Sequence, residues 1–441
     1  MSKTFRAWDV DQVWLLPPSV HDFVPAGHPA HFVRDTVAEG LDLRALYADY
    51  ADDRGQPPYH PAMMTALLLY AYSQGVYSSR RIAKACEERV DFMAVTGLQR
   101  PDFRTISDFR KRHLGALAEL FEQVLRLCRK AGLVTLGHVA LDGTKIKANA
   151  SKHKAMSYGR MVKTEARLAA EIAGWMARAE AADAAEDREL GTETRGDEMP
   201  EWVANKHKRL AKIREAKAAL EAEAQAAAAA ARWAQEQAAK RPGPKPKPPS
   251  EMPADKAQRN FTDPDSRILK TKDGFIQGYN AQAAVDAAHQ VIVAHGLTNS
   301  MSDQDQFAPL IEGIEGALAA TPKEVSADSA YCSERNLKTA EAHGIVAYIA
   351  TARQRHGASS PRSARRWRAG SRVAAMERKL RRAGHRSRYR LRKVTAEPVF
   401  GQTKAARGFR QFLLRRLDKV RHEWALVCTG HNLTKLAAHL A

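Results

Sequence analysis

Gly137-His138-Val139-Ala140-Leu141-Asp142-Gly143-Thr144-Lys145-Ile146 is the stretch that decides how the chain is read. A mostly apolar run meets an aspartate and then a glycine. That pattern predicts a buried strand ending in a carboxylate and a tight turn. A buried strand does not usually end on a charge it cannot solvate, unless the charge meets a partner or a metal ion. Asp142 is therefore the first candidate for a functional carboxylate.

The pattern returns downstream. Glu324-Val325-Ser326-Ala327-Asp328 reads as a second short strand ending in aspartate. Gly274 to Val285 and Gln290 to Leu297 read as two strands of a hairpin joined at Asp286-Ala287-Ala288-His289. A helix follows over Asp303 to Leu318, another over Ser333 to His343, and a further strand over Ile345 to Ala350. A hairpin followed by strand–helix–strand implies an α/β fold, a mixed sheet with helices on its faces.

The flanks read differently. Residues 1–132 are helical, with Pro29 to Glu39, Pro61 to Gly75 and Ser78 to Arg89 as segments. Asp91 is expected to cap a short helix ending at Gly97, and Thr105-Ile106-Ser107-Asp108 a long one reaching Lys130. Their arginines suit a helix-turn-helix-like DNA-binding unit or a plain bundle with solvated charge; both readings stand. Residues 133–159 form the first part of the sheet domain. Residues 160–250 interrupt it, with Met161, Leu168, Ile172 and Trp175 on one helical face and Leu210, Ile213, Leu220 and Ala224 on another. They predict a helical hairpin, then a stiff Pro-rich linker, Arg241 to Pro249. Residues 251–441 complete the sheet domain and end on an amphipathic helix, Val420 to Leu440. Within them, residues 351–393 carry fourteen Arg and two Lys against one acid, Glu377. Such a run is expected to stay mobile without a polyanion.

The chain has 441 residues and a net charge of +20, which implies two or three domains and a polyanionic partner. Residues 1–20 lack the apolar core of a signal peptide, and the longest apolar run, Met63 to Ala71, is too short to span a bilayer. The four cysteines are far apart, which supports neither a zinc ribbon nor a disulfide framework and implies buried thiols. A cytoplasmic protein bound to nucleic acid, with no membrane, is the expectation.

A third acid, Glu397, begins a helix after the basic stretch. Asp142, Asp328 and Glu397 together form an oxygen-rich set that suits two Mg²⁺ or Mn²⁺ ions rather than zinc. Two such ions suit in-line phosphoryl displacement. Lys404, seven residues on, falls on the face of Glu397. Tyr389, Arg392 and Lys393 precede Glu397, and Arg407 and Arg410 extend the basic face, all candidates for holding DNA. Asp263, Asp265, Asp286, Asp303 and Asp305 compete for the carboxylate roles.

The combined pattern resembles the DDE transposases of bacterial insertion sequences, in the group with a helical N-terminal domain. Leu141-Asp142-Gly143-Thr144-Lys145-Ile146 is similar to that family's first-aspartate motif, and Ala327-Asp328-Ser329-Ala330-Tyr331 to its second. Thr262-Asp263-Pro264-Asp265-Ser266-Arg267 and Gly278-Tyr279-Asn280-Ala281-Gln282 resemble its segment after the insertion, and Glu397-Pro398-Val399-Phe400-Gly401-Gln402-Thr403-Lys404 its glutamate motif. The resemblance implies a ribonuclease-H-like catalytic core and binding to terminal inverted repeats. It implies metal-dependent cleavage and transfer of double-stranded DNA, by a homodimer on that DNA. In related transposases three residues separate the motif's arginine from its glutamate; here four separate Arg392 from Glu397, and Lys393 has the usual offset. A metal-dependent nuclease on the same core, or a non-catalytic DNA-binding descendant, are the alternatives.

Overall fold

The computed structural model describes residues 19–50, 57–190, 201–237, 248–271, 274–352 and 367–440. The expectations for residues 1–18, most of the Pro-rich linker and much of the first half of the Arg-rich stretch lie outside these.

The N-terminal region is helical. It comprises α1 (Pro29–Asp35), α2 (Arg44–Tyr47), α3 (Pro61–Ser73), α4 (Ser79–Glu88), α5 (Val90–Thr96), α6 (Phe103–Arg112) and α7 (Leu114–Lys130). Three local readings change. Asp102, not Thr105, caps α6: its carboxylate accepts from Arg104 N at 2.7 Å and Thr105 N at 3.2 Å. The long helix is also broken at His113, whose buried ring stacks on Tyr50 and faces Asp49 at 3.1 Å. Asp91 does not cap α5 but lies in its first turn, accepting from Tyr70 Oη at 2.6 Å.

The sheet follows. β1 (His138–Lys147) is its central strand, and β2 (Ala155–Ser157) begins a small separate ribbon. The chain then departs into α8 (Tyr158–Leu190) and α9 (Glu201–Gln237) and returns through β3 (Gln258–Asn260), the partner of β2. Met161, Leu168 and Ile172 of α8 meet Leu210, Ile213 and Leu220 of α9 in a core of their own. Next come β4 (Arg267–Thr271), β5 (Gly274–Asp286), β6 (Ile292–Thr298), α10 (Phe307–Leu318), β7 (Glu324–Ala327), α11 (Glu334–Ala342) and β8 (Val346–Ile349). The chain ends through α12 (Arg372–Ala383), α13 (Leu391–Gly401) and α14 (Leu417–Leu440).

β5 is antiparallel to β1, while β7 and β8 continue from β1 in parallel. β4 and β6 pair with successive halves of β5, antiparallel. This is the strand order of a ribonuclease-H-like core, flanked by helices. The short polar strands β2, β3 and β4 carry too little apolar alternation to stand out in the sequence.

The second helix from the end of the Arg-rich stretch is a further change. Residues 372–383, expected to be mobile, form α12, because Val373, Met376 and Leu380 recur at helical spacing and are buried. α14 fixes the sheet from one face. Trp424 Nε1 donates to Gln282 O at 3.0 Å, and Asn432 takes both backbone groups of Ile292, at 2.9 and 2.8 Å. One continuous hydrophobic core joins these elements to the N-terminal helices. No helix among the described residues is long and apolar enough to cross a membrane.

Candidate active site

β1 does not turn at Gly143; it runs straight through to Lys147, still paired with β5. The glycine has another cause. A Cβ there would stand 2.5 Å from Gln282 Nε2 and 3.0 Å from Asp303 Oδ1. The glycine leaves room for these side-chain ends; a larger residue would have to push the Gln282 amide aside, and no unusual backbone conformation calls for it.

Leu141 and Ala327 are the last paired residues of parallel β1 and β7. The residues after them, Asp142 within β1 and Asp328 just past the end of β7, therefore lie side by side where the β1–β7 pairing ends, on strands about 4.8 Å apart. Asp328 also caps a 3₁₀ turn over Ser329–Tyr331, accepting from Ala330 N at 2.9 Å. α13 packs across β1 and carries the third acid, Glu397. Just over one helical turn before Glu397, Arg392 spans two of the acids. Its Nη1 lies 2.9 Å from Asp142 Oδ2 and its Nη2 lies 3.0 Å from Glu397 Oε1.

The electrostatics follow from this crowding. Asp142 is 13% exposed. Burial pushes its carboxyl up to about 7; Arg392 opposes the shift, while Asp328 and Glu397 add to it. Burial likewise raises Asp328, against the Ala330 N–H and Arg392. Burial also works against the charge on Arg392, but Asp142 and its other neighbours hold the guanidinium above its ordinary value.

The remaining sequence candidates fall in several places. Tyr389 is half-buried near Arg392, with burial raising its hydroxyl. Lys393 is exposed and Arg392 faces the acids, so Arg392 takes the cationic place that the sequence left open between them. Lys404 Nζ donates to Lys145 O at 2.7 Å, at the far end of β1, and burial lowers its pKa. Arg407, expected on the DNA face, instead meets His431 Nδ1 at 3.2 Å. It follows a π turn at Gln402–Ala406, which alters the register of the helical face assumed from the sequence.

Three competing acids have structural work. Asp263 Oδ1 accepts from Tyr279 Oη at 2.8 Å and Arg416 N at 2.9 Å, and Asp265 Oδ2 accepts from Leu417 N at 2.9 Å. Both tie the start of α14 to the sheet. Asp286 accepts from Leu136 N at 2.7 Å and Ala288 N at 2.9 Å, closing the turns beside β1. Asp303 differs. It accepts from Asn280 Nδ2 at 2.5 Å and Gln282 Nε2 at 2.7 Å, and it lies within the field of Asp328. Tyr331, three residues after Asp328, donates to the same Gln282. Asp303, Gln282 and Tyr331 thus brace the two aspartate-bearing strands. The sequence signal was the glutamine closing Gly278-Tyr279-Asn280-Ala281-Gln282, whose side chain reaches across strands.

Residues 18–112 match the family model described as a transposase domain (DUF772), and residues 250–433 match the transposase DDE domain. The chain belongs to the DDE transposases. The first match covers most of the helical N-terminal region of this transposase, and the second spans Asp328 and Glu397 but starts after Asp142. No curated protein and no solved structure matches the chain.

The donor set of this transposase is chemically suited to a hard divalent ion. Its carboxylates crowd one another, and the charge deficit they create is met by a single guanidinium. Among the described residues no three His, Cys, Asp or Glu side chains already close into a metal cage. Arg392 is the group that stands between Asp142 and Glu397.

Proposed function

We propose that the transposase binds the terminal inverted repeats of its insertion sequence, cuts the DNA there and joins the freed ends to a target. In this reading Asp142, Asp328 and Glu397 are the catalytic carboxylates and hold two Mg²⁺ or Mn²⁺ ions. The observation that carries it is the meeting of acids drawn from distant parts of the chain around one guanidinium, Arg392. When bound, the ions supply Lewis-acid charge to the attacking and leaving oxygens of a phosphodiester.

The protein's part is placement. β1 and β7 present Asp142 and Asp328 side by side, and α13 closes the set with Glu397. Arg392, whose guanidinium spans Asp142 and Glu397, offers a planar fork that would also suit a phosphate. Tyr389 and Lys393 flank it on the strand-holding side, and Lys404 supplies a further cation. Joining two ends in one event calls for two copies on DNA, so a homodimer forms on the ends, in the cytoplasm.

The test is strand transfer. Full-length protein is incubated with pre-cleaved end duplexes, a supercoiled target and Mg²⁺. Covalent joining of end to target is expected. No joining of the pre-cleaved ends, while a parallel reaction cuts uncleaved end duplexes, overturns the assignment in favour of a nuclease.

A further inference from the structure

Several cations of the helical hairpin share a glutamate in pairs. Arg167 and Lys206 pair with Glu171 at 2.6 and 2.7 Å, and Arg214 and Lys217 both pair with Glu165 at 3.0 Å. At its root Arg259 and Arg267 share Glu223, at 2.5 and 3.0 Å. Among the described residues Lys163 and Arg178 of α8 are in no ion pair, but at one place several such cations gather. A cleft of about 650 Å³ opens where the hairpin leaves the sheet domain, between the first turns of α8, one face of α9 and the loop before β2. His153, Lys154, Arg160, Lys208, Arg209 and Lys212 line it, and no acid does. Among the described residues none of these six is in an ion pair, and the five lysines and arginines are exposed.

Lys208 and Lys212 are one turn apart on α9, where like charges repel each other. Charge of one sign gathered from three elements, with acids excluded, is the signature of a surface that waits for a polyanion. The position favours DNA. His153 lies only eleven residues after Asp142, which limits the distance between them to at most about 40 Å. That is little more than one turn of duplex, about 34–36 Å.

We propose that this cleft is a second DNA contact, gripping the phosphodiester backbone of a duplex whose strand is engaged at Asp142. The inference rests on the reading of the chain as a protein acting on DNA. It assigns the hairpin a binding role that is independent of the carboxylates.

The experiment compares full-length wild type with Lys208→Gln/Arg209→Gln/Lys212→Gln, binding a random-sequence duplex over a KCl series. Losing three phosphate contacts makes the slope of log affinity against log salt shallower by about 2 to 3. A control, Arg167→Gln/Arg214→Gln, removes cations that glutamates already occupy and leaves the slope at the wild-type value. Replacing Lys208 and Lys212 by arginine keeps the charge and restores the slope, which separates lost contact from lost fold. An unchanged slope in the triple variant overturns the cleft assignment while DNA binding stands. A wild type that binds no duplex overturns the DNA reading itself.

Discussion

Asp142→Asn leaves binding to end DNA near the wild-type level and lowers strand cleavage by about a thousandfold or more, roughly 4 kcal/mol of barrier. The size of the effect comes from what the substitution removes. An amide is a near-isostere, so the backbone pairing of β1 with β5 and the neighbouring packing are kept. Lost are one anionic oxygen for a cation and one end of the Arg392 bridge. Asp328→Asn and Glu397→Gln behave alike, because the three acids act as one unit and each leaves the others with an incomplete donor set. Cleavage of a labelled end duplex, with binding measured in parallel at the same salt, reads the result. Equal cleavage by wild type and Asp142→Asn removes the residue from the chemistry.

Glu423→Ala lowers the stability of the fold by about 3 to 5 kcal/mol. Glu423 is fully buried on α14, where its carboxylate accepts from Leu413 N at 3.0 Å and Leu414 N at 2.9 Å. Those donors lie in the turn that leads from the π turn after Glu397 into α14. Glu423 also lies in the field of Arg110, itself buried in the N-terminal helices and donating to Tyr77 O at 2.9 Å. Truncation therefore strands backbone donors and leaves a buried guanidinium without its counter-charge. Glu423→Gln, which keeps one acceptor oxygen, recovers more than half of the loss. Chemical denaturation monitored by circular dichroism measures both; an alanine variant as stable as wild type contradicts this role for Glu423.

How much of this was legible in the sequence depended on the range of the interaction. The strands around Asp142 and Asp328 could be read, because their apolar runs are local and bounded. The pairing of β1 with β7, which sets the two aspartates side by side, is non-local, and only the family motifs hinted at it. Gly143 misled for the same reason: a glycine after an aspartate signals a turn, whereas here it makes room for the Gln282 amide, far away in sequence. The Arg-rich stretch looked uniformly mobile because charge dominates its composition. Three apolar residues at helical spacing were enough to build α12 against β8 and α11. Arg407 was misplaced by assuming one uninterrupted helix, and the π turn before it turned the side chain toward His431. Arg392 was left level with Lys393, since sequence offset alone does not say which cation faces the acids. Asp303 was one carboxylate among several until its amide partners could be seen.

The most direct measurement is an anomalous-scattering map from crystals of the full-length protein grown with Mn²⁺. The account predicts manganese density bounded by the carboxylates of Asp142, Asp328 and Glu397, with the Arg392 guanidinium withdrawn from between them. Manganese held elsewhere, with Arg392 still bridging Asp142 and Glu397, contradicts it.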